Sequence, residues 1–300
     1  MVFIVGFRSA ATQYAYEPLA RRLGIVKAKD VPRFTEQAWL MTYSCTSLPI
    51  GLVDIPYIYL TSSYAFSMPH LWMDWPWRGL DGLTKRYMLA QLAFWLAQIL
   101  VMHIEERRKD YPQMLAHHVI TIALVGGAYV YHLYPVGNLI LVLMDISDFF
   151  LPLAKCLRYS GKRALCDVVF CFFLVSWILT RHVMFLRVCW SLWADPPRVM
   201  RGQCFRGGID SGLQGPFEAP RDGSWGYMLE PFFNARGTIC FSPEIQGVFL
   251  AGLLGLQVLI VMWLVMILRI AKRVIAGSMA EDLRSDDGSG DEGQGEAEVE

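Results

Sequence analysis

The chain has 300 residues, 54% of them hydrophobic and 18% charged, with a mean hydropathy of +0.35. Soluble domains are usually about 45–50% apolar and about 25% charged, so the composition excludes an ordinary water-soluble domain and suits a polytopic membrane protein. The formal net charge of zero hides a segregation, because basic residues cluster between apolar runs and acidic residues crowd the last twenty positions.

The opening MVFIVGFRSAATQYAYEPLA has no basic stretch ahead of its apolar run, so no cleavable secretory signal is expected. Val2–Tyr16 reads as a short or incomplete span carrying Arg8. A helix needs about 20 apolar residues to cross the hydrocarbon core. Six runs meet that length, near Trp39–Leu60, Tyr87–Ile104, Met114–His132, Val136–Ala154, Leu165–Trp190 and Gly247–Leu268. Several contain Gly or Pro, which membrane helices tolerate. The expected fold class is all-α, a polytopic membrane helix bundle with six firm transmembrane helices and a short or truncated first one. Residues 1–36 form the short span and a basic loop, 37–272 the transmembrane domain, and 273–300 an acidic tail.

Between the spans, Trp72, Trp75 and Trp77 read as an interfacial aromatic belt. His70, His103 and His132 also sit at span ends and read as interfacial. Cys45, Cys156, Cys166, Cys171 and Cys189 lie in or beside apolar runs, where a cysteine acts as a small buried hydrophobe. Residues 195–243 form a loop rich in Gly, Pro and Arg, and its stretch RGQCFRGGIDSGLQGPFEAPRDGSWG reads as an unstructured insertion. Cys204 and Cys240 flank this loop. Whether they pair cannot be read from two cysteines alone.

Lysine and arginine in short loops set orientation. One set of alternate loops holds Arg21, Arg22, Lys27, Lys29 and Arg33, then Arg107, Arg108 and Lys109, then Lys155, Arg158, Lys162 and Arg163, then Arg269, Lys272 and Arg273. That set should face the cytosol. The 195–243 loop is then lumenal and the tail cytosolic. The tail has high charge and no apolar periodicity, so disorder is expected. Ser285 and Ser289 precede acidic residues and are candidate phosphorylation sites; a plain solubilising tail is the alternative.

The most informative feature is polar. His117 and His118 lie in one apolar run, and Asp145 and Asp148 in the next. Ionisable groups at membrane depth cost roughly 2.5–3.5 kcal/mol each on insertion scales, and so point to function. The histidines lie about six residues in from one end of their span, roughly 9 Å at 1.5 Å per residue. Asp148 falls at similar depth on the returning span, roughly 10 Å by the same rise. Spans joined by so short a turn are expected to pack as antiparallel neighbours. Asp145 and Asp148 share a face at i, i+3, while the two histidines point about 100° apart.

Three readings follow. The groups are interhelical glue, worth about 0.6 kcal/mol per bond. They are metal ligands, although adjacent histidines on a helix converge poorly on one ion. Or they form a metal-free base or nucleophile, with a carboxylate holding one ring nitrogen so that the other is basic. Arg181 and His182 either line the same cavity or satisfy a helix contact. The charged run Glu105–Asp110 reads as a solvated helix end, or as a greeting for an anionic cofactor.

RRKDYPQMLAHHVITIALVGGAYVYHLYPVGNLILVLMDISDFFLPLAKCLRY resembles the signature of ceramide synthases, the longevity-assurance branch of the TLC-domain membrane proteins. The matching positions are Arg108, Asp110, Tyr111, His117, His118, Asp145, Asp148, Lys155 and Tyr159. Looser similarity runs from about Phe7 to Ile270, and the acidic tail looks like fungal members. The resemblance implies an endoplasmic-reticulum enzyme that N-acylates a sphingoid base with a fatty acyl-CoA, with no metal and no cofactor beyond acyl-CoA as co-substrate. It implies catalysis by His117 and His118 as base or transient acyl carrier, with Asp145 and Asp148 orienting them and the amine. Arg108, Asp110, Tyr111, Lys155, Arg181 and His182 are candidate substrate-binding residues. Expected partners are the two substrates and membrane lipids, with no nucleic acid, and a homodimer or a heterodimer with related synthases. Departures are a short N-terminus and an enlarged Gly-rich loop. A non-catalytic lipid sensor or carrier, and an inactive or specialised paralogue, are the alternative readings.

Overall fold

A computed structural model describes residues 1–60, 67–77, 79–80, 82–104, 110–200, 203–207, 212–219 and 225–275. The chain opens with α1 (Val2–Ala11), a π-helical turn (Thr12–Tyr16) and α2 (Glu17–Arg22), which run on without a break. The candidate first span is thus part of a longer helical run. After it come α3 (Asp30–Leu60), a short 3₁₀ turn (Met68–Leu71), α4 (Gly82–Ile104), α5 (Tyr111–Val130) and α6 (Tyr134–Tyr159). Next stand α7 (Arg163–Ile178), a second π turn (Leu179–Met184), α8 (Phe185–Ala194) and α9 (Pro196–Val199). Three strands follow, β1 (Gln203–Arg206), β2 (Gln214–Glu218) and β3 (Ile239–Cys240), with α10 (Gly226–Phe233) before β3 and α11 (Pro243–Ile275) closing the fold.

Among the described residues four helical stretches are long and apolar enough to cross a membrane, Gly82–Ile104, Tyr111–Val130, Arg163–Val199 and Pro243–Arg273. The other two expected spans, α3 and α6, have the length, at 31 and 26 residues. Polar residues on their inward faces dilute their hydropathy, among them Gln37, Ser44 and Ser47 on α3 and Asn138, Asp145 and Ser147 on α6, all buried. The chain is a helical, multi-pass membrane protein. Of the five unpaired cysteines, Cys156, Cys166 and Cys189 are buried as expected, but Cys45 and Cys171 are exposed. Those two fall on helix faces turned away from the bundle, the side that meets lipid.

Proline in the first turn starts both α5 and α6, where its missing N–H costs nothing. His132 makes the turn between them with a positive φ of 55°, a region where histidine is among the tolerated residues. The expectation that α5 and α6 pack as antiparallel neighbours needs correction. They approach closely near the turn, where a Cβ on Gly137 would lie 3.2 Å from the Ala128 methyl. Farther along they diverge: α6 packs against α3 and α7, and α5 against α4 and α11. A short connection fixes the start of a helix pair and leaves the far ends to their other partners. The divergence opens space between the two helices that carry the polar groups.

The 195–243 stretch is the larger correction, since its part 201–226 reads from the sequence as an unstructured insertion. Its described residues form an antiparallel sheet in the order β2-β1-β3, with Cys204 opposite Cys240 and joined to it by a disulfide. Trp72 and Trp75 are not a lipid-facing belt but the core beneath this sheet, at 1% and 6% exposure. The Trp75 indole N–H donates to the Tyr131 carbonyl at 2.9 Å, and its ring meets Phe205 and Phe241 edge-on. Trp77 turns outward and donates to the Met73 carbonyl at 3.1 Å. Large aromatics supply enough apolar area to order a Gly-rich segment when the chain brings them together, and that proximity is not visible in local composition. The Tyr131 hydroxyl donates to the Met228 carbonyl at 2.6 Å. Burial, with Tyr227 nearby, pushes its pKa up to about 12, so it stays a donor at neutral pH. These residues make a cap over one end of the bundle.

The disulfide closes a separation of 36 residues, a loop size for which the cross-link contributes about 2–4 kcal/mol. Cys240→Ala is therefore expected to lower the thermal midpoint of the purified protein. Reductant should reproduce that shift in the wild type and add nothing in the variant.

Candidate active site

A cavity lies between α5, α6, the α7–α8 run and α11. Its walls are mainly aliphatic and aromatic. Four ionisable side chains line it together: His117, Asp145, Asp148 and Arg181. His118 is not among the lining residues; it is buried beside them at 3% exposure.

The two histidines divide as helical spacing demands. His117 faces the cavity, with its ring between the edges of Trp95 and Trp263 at centroid distances of 5.6 and 5.3 Å. Its Nδ1 is buried without a hydrogen-bond partner among the described residues. His118 turns toward α4, where Trp95 stands edge-on at 5.3 Å. Its Nδ1 lies 2.6 Å from the Met114 carbonyl oxygen one turn earlier. A carbonyl only accepts, so Nδ1 carries the hydrogen and Nε2 keeps the lone pair.

The expected carboxylate–imidazole hydrogen bond is not among the described contacts. Both aspartates hold other partners. Asp145 accepts from the Gln91 side-chain amide at 2.9 Å. Gln91 in turn accepts from the Tyr43 hydroxyl at 2.9 Å and donates to the Tyr87 hydroxyl at 3.1 Å. Asp148 is ion-paired with Arg181. Helix α6 is straddled by α3 and α7, so its polar face meets groups from those neighbours before it meets α5. A backbone carbonyl performs for His118 the orienting task expected of a carboxylate.

Arg181 sits in the second π turn, whose wider coil brings Thr180 and Arg181 inward. Its guanidinium donates to Ser147 Oγ at 2.7 Å and to the Met144 carbonyl at 3.2 Å, and lies 4.4 Å over the Trp177 ring. The Arg181 side chain is 5% exposed, whereas Asp148 keeps 40% of its side-chain exposure toward the cavity. The two alternatives for the Arg181–His182 pair thus divide between them. Arg181 lines the cavity, and His182 makes a helix contact, its Nδ1 accepting from Gln257 at 2.9 Å.

The remaining candidates lie away from the cavity wall. Tyr111 approaches His103, with its hydroxyl 3.1 Å from Nε2. Asp110 is buried at the start of α5, and Lys155 is half-buried toward the end of α6, at the end opposite the cap. Arg108, Ser285 and Ser289 lie outside the described residues. Among the described residues no group of three His, Cys, Asp or Glu side chains stands in a metal-holding cluster.

Sequence reasoning missed Gln91, Tyr43, Ser147 and Thr121. The signal for Gln91 was available, because an amide within the apolar run Tyr87–Ile104 carries the same desolvation cost that drew attention to the aspartates. Thr121 lines the cavity one turn beyond His117, and its hydroxyl is buried without a hydrogen-bond partner among the described residues.

Together the helices define a multi-pass membrane protein whose cavity is apolar along its length and ionisable at one place. The chain belongs to the TLC domain family, which residues 33–269 match. It is 43% identical over 283 residues to a Gibberella moniliformis protein named Ceramide Synthase FUM18, covering 94% of this chain and 65% of that protein. It is also 43% identical over 289 residues to an Alternaria alternata protein named Sphingosine N-acyltransferase-like protein ALT7, covering 95% and 65%. Identity to Sphingosine N-acyltransferase lag1 of Schizosaccharomyces pombe is 34% over 292 residues, covering 97% and 67%. The chain spans about 65% of the length of the first two relatives.

Proposed function

We propose that this chain joins a sphingoid base to a fatty acyl group taken from acyl-CoA, the activity named in its relatives. The observation that carries the reading is the apolar cavity with His117, Asp145, Asp148 and Arg181 on its wall. An amide-forming site for two lipids needs room for alkyl chains and a base at one position along them.

The sphingoid amine is cationic at neutral pH and must lose a proton before it can attack. His117, cavity-facing and open at one nitrogen, takes that proton. The freed amine nitrogen attacks the thioester carbonyl carbon. A C–N bond forms and the C–S bond breaks; the second proton shed by the nitrogen leaves with the sulfur as CoA thiol, and the first stays on the imidazolium until solvent takes it. Alternatively the imidazole first accepts the acyl group and passes it on. His118 holds the local geometry through Met114 and Trp95, and Asp145 faces the cationic amine as it binds. Thr121 suits a hydroxyl of the base. Exclusion of water favours aminolysis over hydrolysis. The step needs no metal and no cofactor beyond acyl-CoA.

In this reading six helices cross the endoplasmic-reticulum membrane, with α3 and α6 completing the four most apolar stretches. The cap is lumenal, where a disulfide persists. The tail with Ser285 and Ser289 is cytosolic and so is the end bearing Arg108, Asp110, Tyr111 and Lys155, where the charged CoA waits. Residues 37–272 form the catalytic unit, which works as a homodimer or with a related synthase. One observation favours a second reading, a lipid carrier: neither imidazole bonds a carboxylate among the described residues. The two separate in one assay, in which the purified protein receives sphinganine and acyl-CoA. Amide and free CoA should appear in equal amounts and persist with a chelator. Lipid binding without amide would decide for the carrier, and loss of activity to the chelator would decide for a metal.

A further inference from the structure

The cavity has direction. Its lining runs from His117 to Ala128 along α5, from Asp148 back to Val136 along α6, and from Ile260 back to Phe249 along α11. Each stretch covers eleven or twelve helical rises, about 16–18 Å at 1.5 Å each. All three begin at the ionisable groups and end under the cap. The far wall is the indole of Trp72, which also lines the cavity.

Trp72 is held more firmly than packing alone requires. Its Nε1 donates to Ser191 Oγ at 2.9 Å, and that hydroxyl donates to Asp195 Oδ2 at 2.6 Å. Ser191 is 2% exposed, so its bond to the indole is shielded from water, while Asp195 is half-buried. Phe241, next to the cross-linked Cys240, lies at 6.3 Å on the other side. Leu133 and Leu192 complete this end. A large, rigid ring with its polar atom satisfied makes a barrier that does not yield to a flexible chain.

We propose that Trp72, braced by Ser191 and Asp195, is the end stop that selects acyl-chain length; this rests on the acyl transfer proposed above. A straight alkyl chain advances somewhat less per carbon than its bond length of about 1.5 Å. Seated with its reacting carbon at His117, it meets Trp72 after roughly a dozen to fourteen carbons at the helical rise used above. The site therefore takes acyl chains of about 14 carbons best, crowds those of about 16 to 18 and refuses those of about 24 or more.

The test supplies the purified full chain with sphinganine and an equimolar ladder of saturated acyl-CoA from about 14 to about 26 carbons, and reads the amide products by mass. The wild type should favour the short end of the ladder. Trp72→Ala should raise the ratio of very long to long products about tenfold, the scale of discrimination by apolar fit. Leu192→Phe, which adds bulk at the same end, should move the preference the other way and serves if Trp72→Ala does not fold. A wild-type preference for about 24 carbons or more, or an unchanged ratio in variants that still make amide, overturns the end stop. If no amide forms with any chain, the acyl-transfer reading fails. Thermal stabilisation by the matching free fatty acids, wild type against variant, then decides the end stop separately, and a chain-length profile identical in both overturns it.

Discussion

Replacing His117 with alanine is expected to lower amide formation by about 10²–10⁴-fold, the range over which a positioned acid–base group contributes. The thermal midpoint should change little. His117 is the histidine on the cavity wall, and its Nδ1 has no partner to lose among the described residues. His118→Ala should behave differently. That ring is 3% exposed, packs on Trp95 and donates to Met114, so its removal leaves a void and costs about 1–3 kcal/mol of stability. Its effect on rate should follow from loosened geometry and be partly restored by a flat substitute such as Phe. Rates and melting curves of the two variants side by side make the measurement. If His117→Ala keeps near-normal turnover while His118→Ala and His118→Phe both abolish it without melting earlier, the proton passes through His118 instead.

The helices and the choice of polar residues were legible because their signals are local. A run of apolar residues long enough to span, interrupted by His117-His118 or by Asp145 and Asp148, carries a desolvation cost that can be read one segment at a time. What those residues touch was not legible in the same way. Asp148 meets Arg181 across 33 positions and Asp145 meets Gln91 across 54, and no periodicity encodes such pairings. The expected histidine–carboxylate contact came from assuming that a short turn keeps α5 and α6 together along their length. It fails because α3 and α7 compete for the same face of α6. The cap was hidden for a related reason. Trp72 and Trp75 lie more than 100 residues before Phe205 and Phe241 in the chain, so the aromatic core that orders the Gly-rich segment is assembled from distant stretches. Arg181 adds a third kind of case. Its inward aim depends on a π turn, and one extra residue in a helical turn leaves no clear mark on composition.

Breaking the Arg181–Asp148 pair should have unequal consequences depending on which partner is removed. Loss of one member of a buried ion pair costs about 3–5 kcal/mol when the other is stranded. Asp148→Asn strands the guanidinium, whose side chain is 5% exposed, among Trp177, Ser147 and the Met144 carbonyl. Arginine stays protonated under all ordinary conditions, so its charge has no escape and the full range is expected. Arg181→Met strands a carboxylate that keeps 40% of its side-chain exposure toward the cavity. Water or a proton can relieve that group, so the cost should fall below the lower bound. The double variant, with no charge at either position, should melt later than Asp148→Asn alone and recover at least half of the loss. Thermal unfolding of the three variants in one detergent measures the ordering, and strictly additive losses would show that the pair does not act as a unit. Activity should separate from stability in the double variant. Its fold returns, but the cavity has lost the Asp148 carboxylate that stands on the wall beside the amine-facing Asp145, so turnover should stay as low as in the worse single variant.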